Sequence, residues 1–313
     1  MEMYRFEVLD PRPIPAAEEA NDRVFSHPVY GIEVTVPALA KRCAFNLDPQ
    51  HAGGDAGLTA IEVALSAELP PDGTVLATIR PDLDSVGAMA VLALRRSRDS
   101  IGFTDLLKRS ERISTVAEAD KFAQDGWPGS QPLPSQKNPW PSTTAGASDR
   151  QELAAIAAAV ADFTVDIAVR VSTMERWLLT GEEPWQYRDR VEKERLDLIN
   201  ALETGQIKVE TRYGGRIAIV ESAHRAATMV GYAVAPVVVA LNPAFRFGGG
   251  EPHQKFTICT FEAKYADIKA ALAELAQLEP GWGGSPTIGG SPQGVGSTLT
   301  VEQVLEVVGK HLR

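Results

Sequence analysis

The sequence predicts a two-domain α/β protein, with a parallel-sheet N-terminal domain and a smaller α/β domain built on a mixed sheet. Three observations carry that expectation. Helix-like and strand-like segments alternate through residues 57–96, as they do in an open α/β sheet. A chain of 313 residues is long enough for about two hydrophobic cores. From Gln206 the pattern restarts with a pair of strands, so a second unit begins there.

Apolar residues make up 44% of the chain and charged residues 23%, the balance of a folded globular protein. A net charge of −10 argues against a broad basic face for duplex nucleic acid, which needs clustered Lys and Arg. It leaves room for a small anionic substrate held by a metal or a few arginines. The opening "MEMYRFEVLD" has no apolar core and does not read as a secretory signal. The longest nearly uncharged apolar run, residues 226–241, is shorter than the roughly 20 residues a bilayer needs, and Pro236 interrupts it. No membrane association is expected. Cys43 and Cys259 lie far apart without CxxC spacing, so a reducing cytoplasm is the expected location.

Taken in order, "MYRFEVL" and "YGIEVTVPAL" read as short strands separated by a turn-rich stretch. A helix follows in "GLTAIEVALSAEL", then a strand in "GTVLATI" whose unbroken apolar run suits burial on both faces. A loop leads into a helix from Asp84 to about Arg96, where Gly87 allows close approach to the sheet. The next helical stretch ends at Gly126. Residues 127–148, rich in Pro, Ser and Gly, read as a long loop or flap whose Trp127 and Trp140 could stack on a base or anchor the loop. "DRQELAAIAAAVADFTVDIAVRVSTMERWLL" reads as one long Ala-rich helix capped by Asp149, and a second helix stops at Gly205.

Beyond it, "IKVETRYGGRIAIVES" is a hairpin turning at "YGG". Helix "AHRAATMVGYAV", strands "VVVAL" and "KFTICTFE", helix "YADIKAALAELAQL", a glycine-rich loop and a closing helix complete the chain. The resulting division is 1–185, a linker helix over 186–205, and 206–313.

Asp82 and Asp84, in "TIRPDLDSVGAMAVL", follow a strand at the edge where open α/β sheets gather ligands. One residue apart in an extended loop, the two carboxylates could share a hard divalent cation such as Mn²⁺ or Mg²⁺. They could equally be a turn residue and a helix cap. "GWGGSPTIGGSPQGVGSTL" near the C-terminus could cradle an anion on exposed backbone N–H groups, or serve as a flexible linker. Arg80 could grip a phosphate or pair with a neighbouring aspartate, and Arg246 beside "GGG" has the same two readings. "FNLDPQHAGGDAG" gathers Asn46, Asp48, His51 and Asp55 in a turn-rich segment, as metal ligands or as a capped turn. His224 sits at a strand-to-helix turn and His253 near a glycine turn, whereas His27 and His311 read as surface residues.

Together, "TIRPDLDSVGAMAVL" and "GWGGSPTIGGSPQGVGS" resemble two motifs of the DHH phosphoesterase family with its DHH-associated C-terminal domain, over roughly residues 55–313. The first resembles that family's strand-loop-helix motif and the second its glycine-rich signature. The resemblance implies an N-terminal domain holding Mn²⁺ or Mg²⁺, a C-terminal domain closing over substrate, and hydrolysis of a small phosphorylated molecule such as a nucleotide or short oligonucleotide. It implies metal ligation by Asp82 and Asp84, with Asp120 as a further ligand, and a phosphate-facing loop at Gly283, Gly284, Ser285, Gly289 and Gly290. Thr78 stands where the family has a histidine, and no Asp-His-His triplet occurs. His51 and Asp48 are the candidates to make up those ligands, with His51, Asp82 and Asp84 as catalytic residues and Arg80 on the phosphate. A homodimer is left open as the assembly. The other reading is a catalytically silent relative that binds a nucleotide or a partner.

Overall fold

Strands β1 (Tyr4–Val8), β2 (Val29–Ile32), β3 (Phe45–Leu47) and β4 (Thr74–Thr78) form a fully parallel sheet in the order β1-β4-β2-β3. These coordinates come from a computed structural model describing residues 3–9, 27–49, 58–97, 111–120, 133–137, 147–246, 251–292 and 294–313. The chain divides into two units, Met1–Lys121 with Ser148–Val191, and Phe122–Ala147 with Glu192–Arg313. The protein is α/β in both, with this parallel sheet in the first and a mixed sheet in the second.

The central strands β2 and β4 are buried at every residue, which is why their sequences run apolar instead of alternating. One sheet face, through Ile32 and Leu76, packs against Met89, Leu92, Met174 and Trp177, and the other carries Val29, Val75 and Ala77, clustered with Leu9 and Val34. After β2 the expected long strand gives way to a single helical turn, α1 (Pro37–Ala40). Pro37 lacks the N–H a continuing strand would need and suits the first turn of a helix.

Helices α2 (Ala60–Ala64) and α3 (Leu83–Ser97) flank β4 in sequence, and α3 is buried from Asp84 through Leu94. Gly87 serves a close helix–helix contact: a Cβ there would lie 2.7 Å from Ile61 Cδ1 of α2. The neighbour that needs its small size is therefore α2, where the sequence pointed to the sheet.

Helix α4 (Glu111–Asp120) precedes α5 (Ala147–Val160) and α6 (Ile167–Thr180). The single Ala-rich helix expected over this stretch is thus two. Asp162 Oδ1 accepts bonds from the Thr164 N–H (3.0 Å) and hydroxyl (2.6 Å), and Asp166 caps α6 by accepting from the Ala168 N–H at 2.8 Å. These three local side-chain bonds outcompete continuation of the helix. Asp149, expected as a cap, lies inside α5.

A short 3₁₀ turn (Trp185–Tyr187) leads into α7 (Arg188–Glu203), within which the chain passes from one unit to the next. The helix stops before Gly205, whose φ of 73° needs no side chain. The second sheet holds β5 (Lys208–Arg212), β6 (Ile217–Glu221), β7 (Val237–Phe245), β8 (His253–Thr260), β9 (Gly283–Gly284) and β10 (Ile288–Gly290). Its order is β5-β6-β7-β8-β10-β9, with β6 and β7 parallel and the other pairs antiparallel.

Helix α8 (Ala227–Tyr232) packs with Leu198 of α7 over one face. Helices α9 (Ile268–Leu278) and α10 (Val301–Lys310) cover the other, Leu275, Val304 and Val308 clustering with Phe256 and Ile258 of β8. Of the predicted flap, residues 133–137 are described: Leu133 packs with the α7–α8 cluster, and Gln136 bonds both carboxylate oxygens of Glu203. Trp127 and Trp140 lie outside the described residues. Among the described residues no helix is long and apolar enough to cross a membrane.

Candidate functional site

Strand β4 ends at Thr78, and Pro81 turns the chain outward before α3 begins. Asp82 is the N-cap of α3. Its Oδ1 accepts from the Ser85 N–H at 3.0 Å, and its own N–H donates to Ser85 Oγ at 3.0 Å. The Ser85 hydroxyl faces both Asp82 Oδ1 (2.8 Å) and the Arg80 carbonyl (2.9 Å). This reciprocal pairing satisfies donors that a helix start leaves open.

Asp84 does something the sequence does not announce. Fully buried in the first turn of α3, it accepts from the Ala60 N–H at 2.6 Å and the Ile61 N–H at 2.8 Å. It therefore caps α2, a helix 23 residues earlier in the chain. Burial pushes its carboxyl above the ordinary range, the nearby Asp120 charge adds to that, and the two N–H bonds pull the other way.

Glu33 belongs to the same electrostatic neighbourhood and was not singled out from the sequence. It follows β2 directly, with a left-handed φ of 51°, and its N–H donates to the Leu47 carbonyl at 2.9 Å. Burial drives its carboxyl well above the usual range, helped by the charges of Asp84, Asp82, Asp120 and Asp48. The available signal was its place at the carboxyl end of a buried strand, the argument that singled out Asp82 and Asp84.

Asp48 follows β3 directly and is buried, and Asp120 closes α4. Three adjacent parallel strands, β4, β2 and β3, thus each release an acidic residue at their carboxyl ends. Five carboxyl groups share one electrostatic field. Among the described residues, no three His, Cys, Asp or Glu side chains converge as a ready set of metal ligands. The donors are all oxygen, the chemistry that suits a hard divalent cation. Arg80 is exposed and, among the described residues, forms no ion pair. His51 and Asp55 lie outside the described residues.

In the second unit, the glycine-rich loop is a two-stranded ribbon at the sheet edge, β9 paired with β10. A Cβ on Gly289 would lie 2.5 Å from Leu272 Cδ1, and one on Gly290 would lie 2.6 Å from the Phe256 carbonyl oxygen. Gly283 faces open space. Ser285 closes the turn, its N–H donating to the Ile288 carbonyl at 2.7 Å while its Oγ accepts from the Thr287 and Ile288 N–H groups. Lys255 lies along the ribbon, its ammonium reaching the Ser291 and Pro292 carbonyls. Burial lowers its pKa.

Three further histidines have protein partners. His224 Nδ1 accepts from the Ala226 N–H at 3.1 Å before α8, His253 Nδ1 lies 3.0 Å from the Glu251 carbonyl, and His311 pairs with Glu274 at 2.9 Å. No family model matches the sequence, and no curated protein matches it.

Proposed function

We propose that the protein is a divalent-metal-dependent phosphoesterase acting on a small phosphorylated molecule, with its cation site at the carboxyl ends of β2, β3 and β4. The observation that carries this reading is the placement of Glu33, Asp48, Asp82 and Asp84 after three adjacent parallel strands, with Asp120 in the same field. Like charges gathered in a partly buried region repel one another, and a dication offsets that cost. The motif resemblance around Asp82 and Asp84 supplies the reaction class.

Because, among the described residues, no three side chains converge as a ready ligand set, holding Mn²⁺ or Mg²⁺ would require Glu33, Asp48 and Asp120 to draw together around the ion, with Asp82 beside them. A bound dication supplies charge neutralisation at a phosphoryl oxygen and acidifies a water. Asp84 keeps α2 and α3 in register behind the site by its cap. Arg80, exposed beside the acids, is free to reach a substrate phosphate. The ribbon of Gly283, Gly284, Ser285, Gly289 and Gly290 is assigned a phosphate-facing role on the resemblance. The cysteine usage, two residues far apart without CxxC spacing, supports a cytoplasmic location as part of this reading.

The test is hydrolysis of p-nitrophenyl phosphate and bis(p-nitrophenyl) phosphate by purified protein in Mn²⁺, Mg²⁺ or EDTA. Metal-dependent turnover that disappears in Glu33→Gln and Asp48→Asn supports the reading. A folded, metal-saturated protein without turnover on either ester sinks it. One observation favours the silent alternative, a nucleotide-binding relative: Asp82 and Asp84 both spend carboxylate oxygens on helix caps. In that case a nucleotide binds and is returned unchanged.

A further inference from the structure

Tyr213 opens the turn between β5 and β6 with a left-handed φ of 52°, ahead of Gly214 and Gly215, which also hold positive φ. A bulky side chain in that conformation is an outlier, and it persists only where other contacts hold it. Here α10 holds it. The Tyr213 hydroxyl donates to the Leu305 carbonyl at 3.1 Å. Gly309 gives the ring its place: a Cβ there would lie 2.6 Å from Tyr213 Cε1. The residue is nevertheless 46% exposed, so much of its surface is left uncovered.

Beside the ring runs a groove of about 310 Å³, lined by Arg212, Tyr213, Glu302, Leu305 and Glu306. Leu305 is buried, whereas Glu302 and Glu306, one turn apart on α10, are exposed. The charges of this lining do not cancel. Arg212 pairs with Glu210 at 2.6 Å, and Glu306 pairs with Lys310 at 3.4 Å. Glu302 forms no ion pair among the described residues. The uncompensated charge of the groove is therefore negative, and it lies beside an aromatic ring.

We propose that this groove binds an arginine side chain presented by a partner protein, the aliphatic stem lying along Tyr213 and Leu305 and the guanidinium pairing with Glu302. Arginine matches these features together. It carries an apolar stem beneath a permanent charge, stacks on aromatic rings and bonds a carboxylate through two parallel N–H groups. A free amino acid fits less well, because its α-carboxylate needs a cation and Arg212 is already engaged by Glu210. The groove lies wholly within the second unit, and the assignment does not rest on the metal-site reading above.

The experiment titrates the full chain with Nα-acetyl-arginine methylamide and follows backbone amide NMR shifts. The neutral isostere Nα-acetyl-citrulline methylamide and free L-arginine are run beside it. The capped arginine should give saturable shifts at Tyr213, Glu302 and Leu305, with an affinity on the order of millimolar for a single side chain. Glu302→Gln, an exposed substitution, should weaken binding about 2- to 5-fold, the scale of an exposed ion pair. Tyr213→Asn installs a residue that tolerates positive φ and removes the ring, and it should weaken binding by about the same factor. Citrulline should cause no saturable shift. The proposal is overturned by no saturable shift with capped arginine, by an equal response to citrulline, or by an affinity unchanged in either variant. Free L-arginine that binds more tightly than the capped form overturns the assignment to a protein chain.

Discussion

Replacing Asp84 with alanine tests whether this residue is first of all a cap that joins two helices. The side chain is fully buried and accepts two charge-assisted bonds, 2.6 and 2.8 Å long, from the first turn of α2. Alanine leaves two N–H donors facing a buried void, and each unsatisfied donor costs about 1–3 kcal/mol. Relief of repulsion from Asp120 and Asp82 returns part of that. The net expectation is a loss of about 2–4 kcal/mol in urea unfolding of the metal-free protein. Asp84→Asn keeps one acceptor but turns an amide donor toward the other N–H, so it should fall about midway. The metal-free condition matters: a residue needed only as a metal ligand would cost nothing in EDTA. Asp84→Ala within about 0.5 kcal/mol of wild type in EDTA would refute the cap reasoning.

Three further outcomes follow from the same contacts. Glu33→Gln should stabilise the metal-free protein increasingly as pH rises. The folded pKa of Glu33 is raised, so its stability contribution is complete below the unfolded value and is lost as pH climbs toward the folded one. A wild-type-to-variant gap that does not widen by at least ~1.4 kcal/mol between pH 4 and pH 8 in denaturant titrations contradicts it. Glu279 accepts from the Trp282 indole, the Ser297 hydroxyl and both the N–H and hydroxyl of Thr298. Burial raises its pKa, but those bonds outweigh burial and hold it low, so Glu279→Ala should cost roughly 2–4 kcal/mol by denaturant unfolding, with the difference shrinking as acid protonates the wild-type carboxylate. Gly289→Ala should destabilise by about 1–3 kcal/mol, because its Cβ would meet both Leu272 Cδ1 and, at 2.7 Å, the Gly283 carbonyl oxygen; a thermal midpoint equal to that of wild type speaks against the close packing.

The parts of the fold written in local patterns were legible in the sequence. The unbroken apolar run of β4, the "YGG" hairpin and Gly205 as a helix stop each follow from chemistry within a few residues. The break between α5 and α6 was also local, in Asp162, Thr164 and Asp166, but alanine-rich flanks masked the turn signal. The role of Asp84 was not legible, because its partners lie 23 and 24 residues away and become neighbours only when α2 packs on α3 at Gly87. Glu33 escaped notice as a single acid without a paired neighbour. Its weight comes from sheet order, which sets β2 between β4 and β3 although β4 comes last in the chain. The glycine-rich stretch read as a loop because glycine spacing marks freedom of the backbone, not the edge-strand packing that uses it here.

The central claim is that the acids beyond β2, β3 and β4 hold a divalent cation. Equilibrium dialysis of the EDTA-stripped protein against Mn²⁺, with metal analysis of the retained protein, tests it most directly beside a Glu33→Gln/Asp48→Asn double variant. The account predicts stoichiometric Mn²⁺ in wild type and its loss in the variant, with both proteins folded. Wild type that retains no Mn²⁺, or a variant that retains as much as wild type, contradicts it.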